Sequence, residues 1–242
     1  MAAIILLSWA YLIWMAREMY GMDPSCPMHD MSAAWTPGYF WMTFLMWTVM
    51  MVAMMVPSAI PMVFTFVIIS RRRSEAGALL VPPWLFLAGY LAAWTGFSLL
   101  ATLAQWGLHA ASLLAPATLK VGPAAGGGLL AVAGVYQFLP FKNACLAKCA
   151  NPLLFLVREW REGPGGAFLM GLRHGVFCTV CCAVLMALLF VAGVMNLLWI
   201  AVIGGLVLIE KLTPATHATS RAFGVLFLVA AVVLTGEALW RA

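Results

Sequence analysis

His174, Cys178, Cys181 and Cys182 fall within the stretch LRHGVFCTVCCAVLM. On an α-helix, offsets of four, seven and eight residues keep side chains within about 100° of one face. That face carries one imidazole and three thiols, and Met170 and Met186 extend it at either end. Upstream, YQFLPFKNACLAKC places Cys145 and Cys149 four apart, so they too share a face. Thiol and imidazole together form the ligand set of a soft ion such as Cu(I). A structural zinc site is a poor fit, because no paired CxxC stands in a soluble loop. A single cysteine in an apolar helix is usually a small packing residue. Five of the six cysteines gathered near a histidine favour a ligand role over packing.

Methionine supplies a second soft donor. The stretch MTFLMWTVMMVAMM, residues 42–55, contains Met42, Met46, Met50, Met51, Met54 and Met55. Four-residue steps from Met42 through Met46 and Met50 to Met54 make a ladder about 18 Å long on a slowly drifting face. Met51 and Met55 lie on a neighbouring face. Any one of them is ordinary gap-filling between helices; the density of thioethers adds the reading of a weak, exchangeable path. A third donor group sits in MYGMDPSCPMHDM, where Cys26, Met28 and His29 are accompanied by Met19, Met22 and Met31. Glu210 precedes Lys211 near the end of a late apolar run. An ionisable pair there needs partners or water. Glu210 could pair with Lys211 or Arg173, or it could orient His174 as an outer carboxylate.

The elements that must hold these groups are set by composition. The 242 residues are 65% hydrophobic and 9% charged, with mean hydropathy +1.02. So few charges cannot cover the surface of a soluble domain of this apolarity. Backbone groups in a bilayer must pair internally, which leaves helices as the solution here. The expected fold is therefore all-α: a single-domain polytopic transmembrane bundle of about seven helices, over roughly 2–20, 38–69, 82–106, 124–145, 167–193, 196–212 and 221–240. Val56-Pro57 and Ile60-Pro61 are candidate kinks in the second run. The stretch Pro116 to Gly128 reads as a loose turn. The N-terminus has no positive n-region and no A-x-A-like cleavage site, so the first run is expected to remain as a helix.

The formal charge of +5 resides in short loops and forms no basic stripe, which argues against nucleic acid. Arg71–Arg73, then Lys142, Lys148, Arg158 and Arg161, then Lys211 and Arg221 mark one side as cytoplasmic, so the 21–37 loop is expected outside.

Together, MMVAMMVPSAIPM, YQFLPFKNACLAKC, GVFCTVCCAVLM and the Glu210-Lys211 pair resemble a bacterial family of predicted metal-binding integral membrane proteins, from about Trp35 onward. The resemblance implies a metal and a membrane without specifying a reaction. Where that family's pattern has a glycine between the cysteines of the fifth run, this chain has Val180. The methionine ladder is also similar to that of membrane copper-uptake channels.

The resulting expectation is a bacterial inner-membrane protein that binds Cu(I) and either transports it or hands it to a copper chaperone or cuproenzyme. Its ligands would be Cys145, Cys149, His174, Cys178, Cys181 and Cys182, fed by Met46, Met50 and Met54 and by Cys26, Met28 and His29. Two other classes remain open. One is a membrane thiol oxidoreductase working on disulfides and quinone through Cys181-Cys182 or Cys145/Cys149. The other is a homo-oligomer or a non-catalytic subunit or assembly factor of a larger complex, packed through Gly204-Gly205 and Gly126 to Gly128.

Overall fold

The computed structural model describes residues 1–21, 35–115, 119–213 and 216–240. Its elements run α1 (Ala2–Gly21), α2 (Pro37–Glu75), α3 (Pro83–Ala110), β1 (Leu114–Ala115), β2 (Lys120–Val121), α4 (Pro123–Phe138), α5 (Pro140–Ala150), α6 (Pro152–Glu159), α7 (Gly163–Ala187), α8 (Leu189–Ala192), α9 (Leu197–Leu212) and α10 (Thr216–Trp240). The two short strands pair antiparallel, Leu114 with Val121 and Ala115 with Lys120. The fold is an all-α bundle.

Proline writes many of these boundaries. Pro37, Pro83, Pro123, Pro140 and Pro152 each sit in the first turn of a helix, where a missing N–H costs nothing. Pro140 also forces its predecessor out of the helical region. Leu139 accordingly adopts φ −67° and ψ 133°, and α5 departs from α4 at 69°. The fourth expected run is thus a broken helix. Part of the expected loop that follows it is helical too, as the end of α5 and as α6. The expected loose turn ends early as well, because α4 begins at Pro123.

Each of the seven apolar runs is helical. Among the described residues four segments are long and apolar enough to cross a membrane: Pro37–Glu75, Pro83–Ala110, Gly163–Ala192 and His217–Glu237; the bent α4–α5 pair makes a fifth if it counts as one span. By contrast, α9 has 16 residues, about 24 Å, short of a hydrocarbon core of about 30 Å. The expected kinks do not interrupt α2, which continues through Pro57 and Pro61 as one 39-residue helix.

Glycines bring the helices into backbone contact. A Cβ on Gly171 would lie 1.9 Å from the Phe86 carbonyl oxygen, and one on Gly89 would lie 2.0 Å from that of Phe168. These contacts clamp α7 to α3. On α4, a Cβ on Gly127 would meet Thr235 of α10 at 2.2 Å. Small residues drive such approach in apolar surroundings, where packing replaces the hydrophobic effect. The larger buried cluster contains the α2 methionines from Met46 to Met55 and the thiols of α5 and α7.

Candidate metal centre

Three thiols of α7 and one of α5 come together in the bundle. Cys178, Cys181 and Cys182 are fully buried. The Sγ atoms of Cys181 and Cys182 are 3.3 Å apart, and Cys181 Sγ donates to the Cys178 carbonyl oxygen at 3.2 Å. From α5, Cys149 brings its thiol beside those of Cys178 and Cys181 in the same buried cluster. The bend at Leu139 makes this possible: a straight α4 would carry Cys149 on past α7. All five described cysteines, Cys145 among them, are free thiols. The sulfurs touch one another, and among the described residues no three His, Cys, Asp or Glu side chains already stand about an ion-holding point. Rotation about χ1 is the freedom that would turn sulfurs inward.

A charge sits on this cluster. Lys211 of α9 donates from Nζ to Cys178 Sγ at 2.8 Å and to Ser58 Oγ of α2 at 2.9 Å. Tyr90 of α3 places its hydroxyl 3.2 Å from the same sulfur and 3.1 Å from the Met55 carbonyl oxygen. Cys178 is therefore touched from α2, α3 and α9 within two bonds. Sequence reasoning named Lys211 as a partner for Glu210 and as a topology charge, and did not single out Ser58 or Tyr90. One signal was present: Ser58 is the next four-residue step after Met46, Met50 and Met54.

That ladder faces inward. Met46, Met50 and Met54 are buried, as are Met51 and Met55 of the neighbouring face. Met42 is different, with 66% of its surface exposed, so the buried series begins one turn later than the full ladder. Its other end packs on α9, where the Gly204 position lies 3.6 Å from the Met54 side chain.

His174 is buried in an aromatic enclosure. Its ring stacks on Tyr90 at 5.5 Å and 24° and lies 5.4 Å from Phe155 and 6.1 Å from Phe86. Nδ1 has no hydrogen-bond partner. The shared Tyr90 ring connects this histidine to Cys178. Cys145 is buried one turn before Cys149, but it does not share the thiol contacts, and Lys148 is its charged neighbour. Cys26, Met28 and His29 lie outside the described residues.

Glu210 settles on neither partner expected from sequence. Its Oε1 accepts from Lys142 Nζ at 2.7 Å and from Ser220 Oγ at 3.0 Å, while Lys142 also donates to Gln137. Arg173 instead pairs with Glu159. The carboxylate thus braces the α4–α5 bend against α9 and α10 and does not orient His174. The available signal was Lys142 itself, a lysine inside an apolar run.

Comparison with curated proteins finds no match, and comparison with solved structures finds none. A family model described as "PpoB2: Copper chaperone" matches residues 44–234. This range holds the α2 methionines from Met46 onward, all five described cysteines, His174, Glu210 and Lys211. The copper expected from soft donors and the family of that description agree, and the chain belongs to the PpoB2 copper chaperone family.

Proposed function

We propose that the protein is a membrane-embedded Cu(I) carrier, which holds the ion at the α5–α7 thiols and passes it to a copper chaperone or cuproenzyme. One observation carries the reading: Cys149 of α5 meets Cys178 and Cys181 of α7 within a buried cluster that also contains Cys182. Four sulfurs from two elements meet the preference of Cu(I) for soft donors. The buried face of Met46, Met50 and Met54 leads by one further helical step to Ser58, which touches the same site through Lys211. Neutral thioethers suit transient contact, and thiolates suit holding. His174, with its unpartnered Nδ1, is a nitrogen donor at the margin of the site. The 22–34 segment, with Cys26, Met28 and His29, would collect or release the ion on the outer face of a bacterial inner membrane, an orientation supported by the basic residues Arg71–Arg73 at the far end of α2.

The burial of all five inner cysteines speaks against a thiol oxidoreductase, whose attacking thiolate must be reached by its substrate. The test is a Cu(I) titration of purified protein against a competing chelator. A retained ion that is lost in Cys178→Ser and in Cys182→Ser supports the reading. A parent protein that never competes with the chelator overturns it.

A further inference from the structure

Lys211 is almost completely buried. Among the described residues the ion pairs are Arg73–Glu162, Lys142–Glu210 and Arg173–Glu159, so Lys211 has no carboxylate. Its sequence neighbour Glu210 is committed to Lys142 and Ser220. A buried ammonium without a counter-charge is costly. The atoms in contact with it are Ser58 Oγ and Cys178 Sγ, and of these two the sulfur is the one that becomes an anion.

We propose that Lys211 is the fixed counter-charge of the thiol site, matching it to a monovalent soft cation held by two thiolates, one of them Cys178. The proposal rests on the reading of these thiols as a copper site. A pair of thiolates carries two negative charges, and a bound Cu(I) or Ag(I) returns one. In water the remaining charge is solvated; inside an apolar bundle it needs a partner. The Lys211 ammonium, 2.8 Å from Cys178 Sγ, supplies that partner and makes the loaded cluster neutral. A third thiolate would leave an uncompensated negative charge. Ser58 accepts a second hydrogen bond from the ammonium, so Lys211 is a positioning and charge-matching residue and need not touch the ion. A neutral residue at 211 would strand a negative complex in a low-dielectric site, where nearby charges act strongly.

The experiment uses the full chain in detergent with Cu(I) as the probe. Affinity is measured by chelator competition for the parent, Lys211→Arg and Lys211→Met, with helical content checked in each. X-ray absorption of the loaded parent counts the sulfurs around copper. The expected result is two sulfurs in the parent, binding by Lys211→Arg within about threefold of it, and binding by Lys211→Met at least about tenfold weaker. A role in packing alone would not be rescued by the bulkier arginine. Three or four sulfurs in the parent, or equal affinity in a folded Lys211→Met, overturns the proposal while leaving the copper site standing. If Lys211→Met does not fold, the parent sulfur count and the Lys211→Arg affinity decide. Absence of Cu(I) binding by the parent sinks the functional reading itself.

Discussion

Lys142 and Glu210, 68 positions apart, meet at 2.7 Å with side chains 0% and 1% exposed. The pair joins the first turn of α5 to the end of α9. Breaking it from one side strands a buried charge, at a cost of about 3–5 kcal/mol. Glu210→Gln is therefore expected to lower thermal stability in detergent sharply. Lys142→Met combined with Glu210→Leu removes both charges and should recover most of that loss. A Glu210→Gln protein as stable as the parent would show that the contact carries little.

Cys149 and Cys145 make a matched comparison on one helix. Both are buried, but only Cys149 reaches Cys178 and Cys181. Cys149→Ser should weaken Cu(I) retention in chelator competition by about tenfold or more, the scale of a lost contact that supports a ligating thiolate. Cys145→Ser should change it by less than about threefold. The reverse order would place the site one turn earlier along α5, at Cys145.

Gly171 is where α7 touches the backbone of α3. Gly171→Ala introduces a methyl 1.9 Å from the Phe86 oxygen, so the helices must part. Overpacking of this kind costs about 1–3 kcal/mol. Gly165→Ala, also in α7, meets nothing within 4 Å and should be neutral or slightly stabilising. Unfolding midpoints of the two variants check the contrast.

The methionines of α2 allow a chemical deletion at nearly constant volume. Met46→Leu, Met50→Leu and Met54→Leu together should each cost under about 1.5 kcal/mol in packing and remove three buried thioethers. Copper transfer to an acceptor, or copper-dependent growth, is expected to fall while expression holds. Met51→Leu with Met55→Leu should do less, and Met42→Leu, at an exposed position, should do nothing. A triple variant that transfers copper like the parent would reduce these thioethers to packing material.

How far the sequence could be read depended on what each feature requires. The α7 face was legible, because His174, Cys178, Cys181 and Cys182 are fixed by one helical period. The broken α4–α5 segment was hidden inside a continuous apolar run, although Pro140 marked it. Long-range partners were not legible: the sequence offered Glu210 Lys211 or Arg173, and the bent α5 brings it Lys142 instead. Nor could periodicity orient α2, since six methionines cover more than half its circumference and the packing of α9 at Met54 selects the buried face. Close approach was sought at Gly126–Gly128 and Gly204-Gly205, where Gly126 and Gly127 do meet neighbours, but Gly171 and Gly89, which clamp the thiol helix, gave no separate signal.

The adjacency of Glu210 and Lys211 has a mechanical consequence. Neighbouring residues on an α-helix point about 100° apart. One of these charges is held by α5 and α10, the other by α2 and α7. The rest of α9, LLWIAVIGGLVLI, is apolar, and such surfaces can slide in an apolar setting because dispersion contacts are not directional. Two divergent prongs at one end key the helix as a shaft is keyed in its hub. They set its rotation and depth together, so any twist of α9 that loosens Lys211 from Cys178 must also pull Glu210 from Lys142.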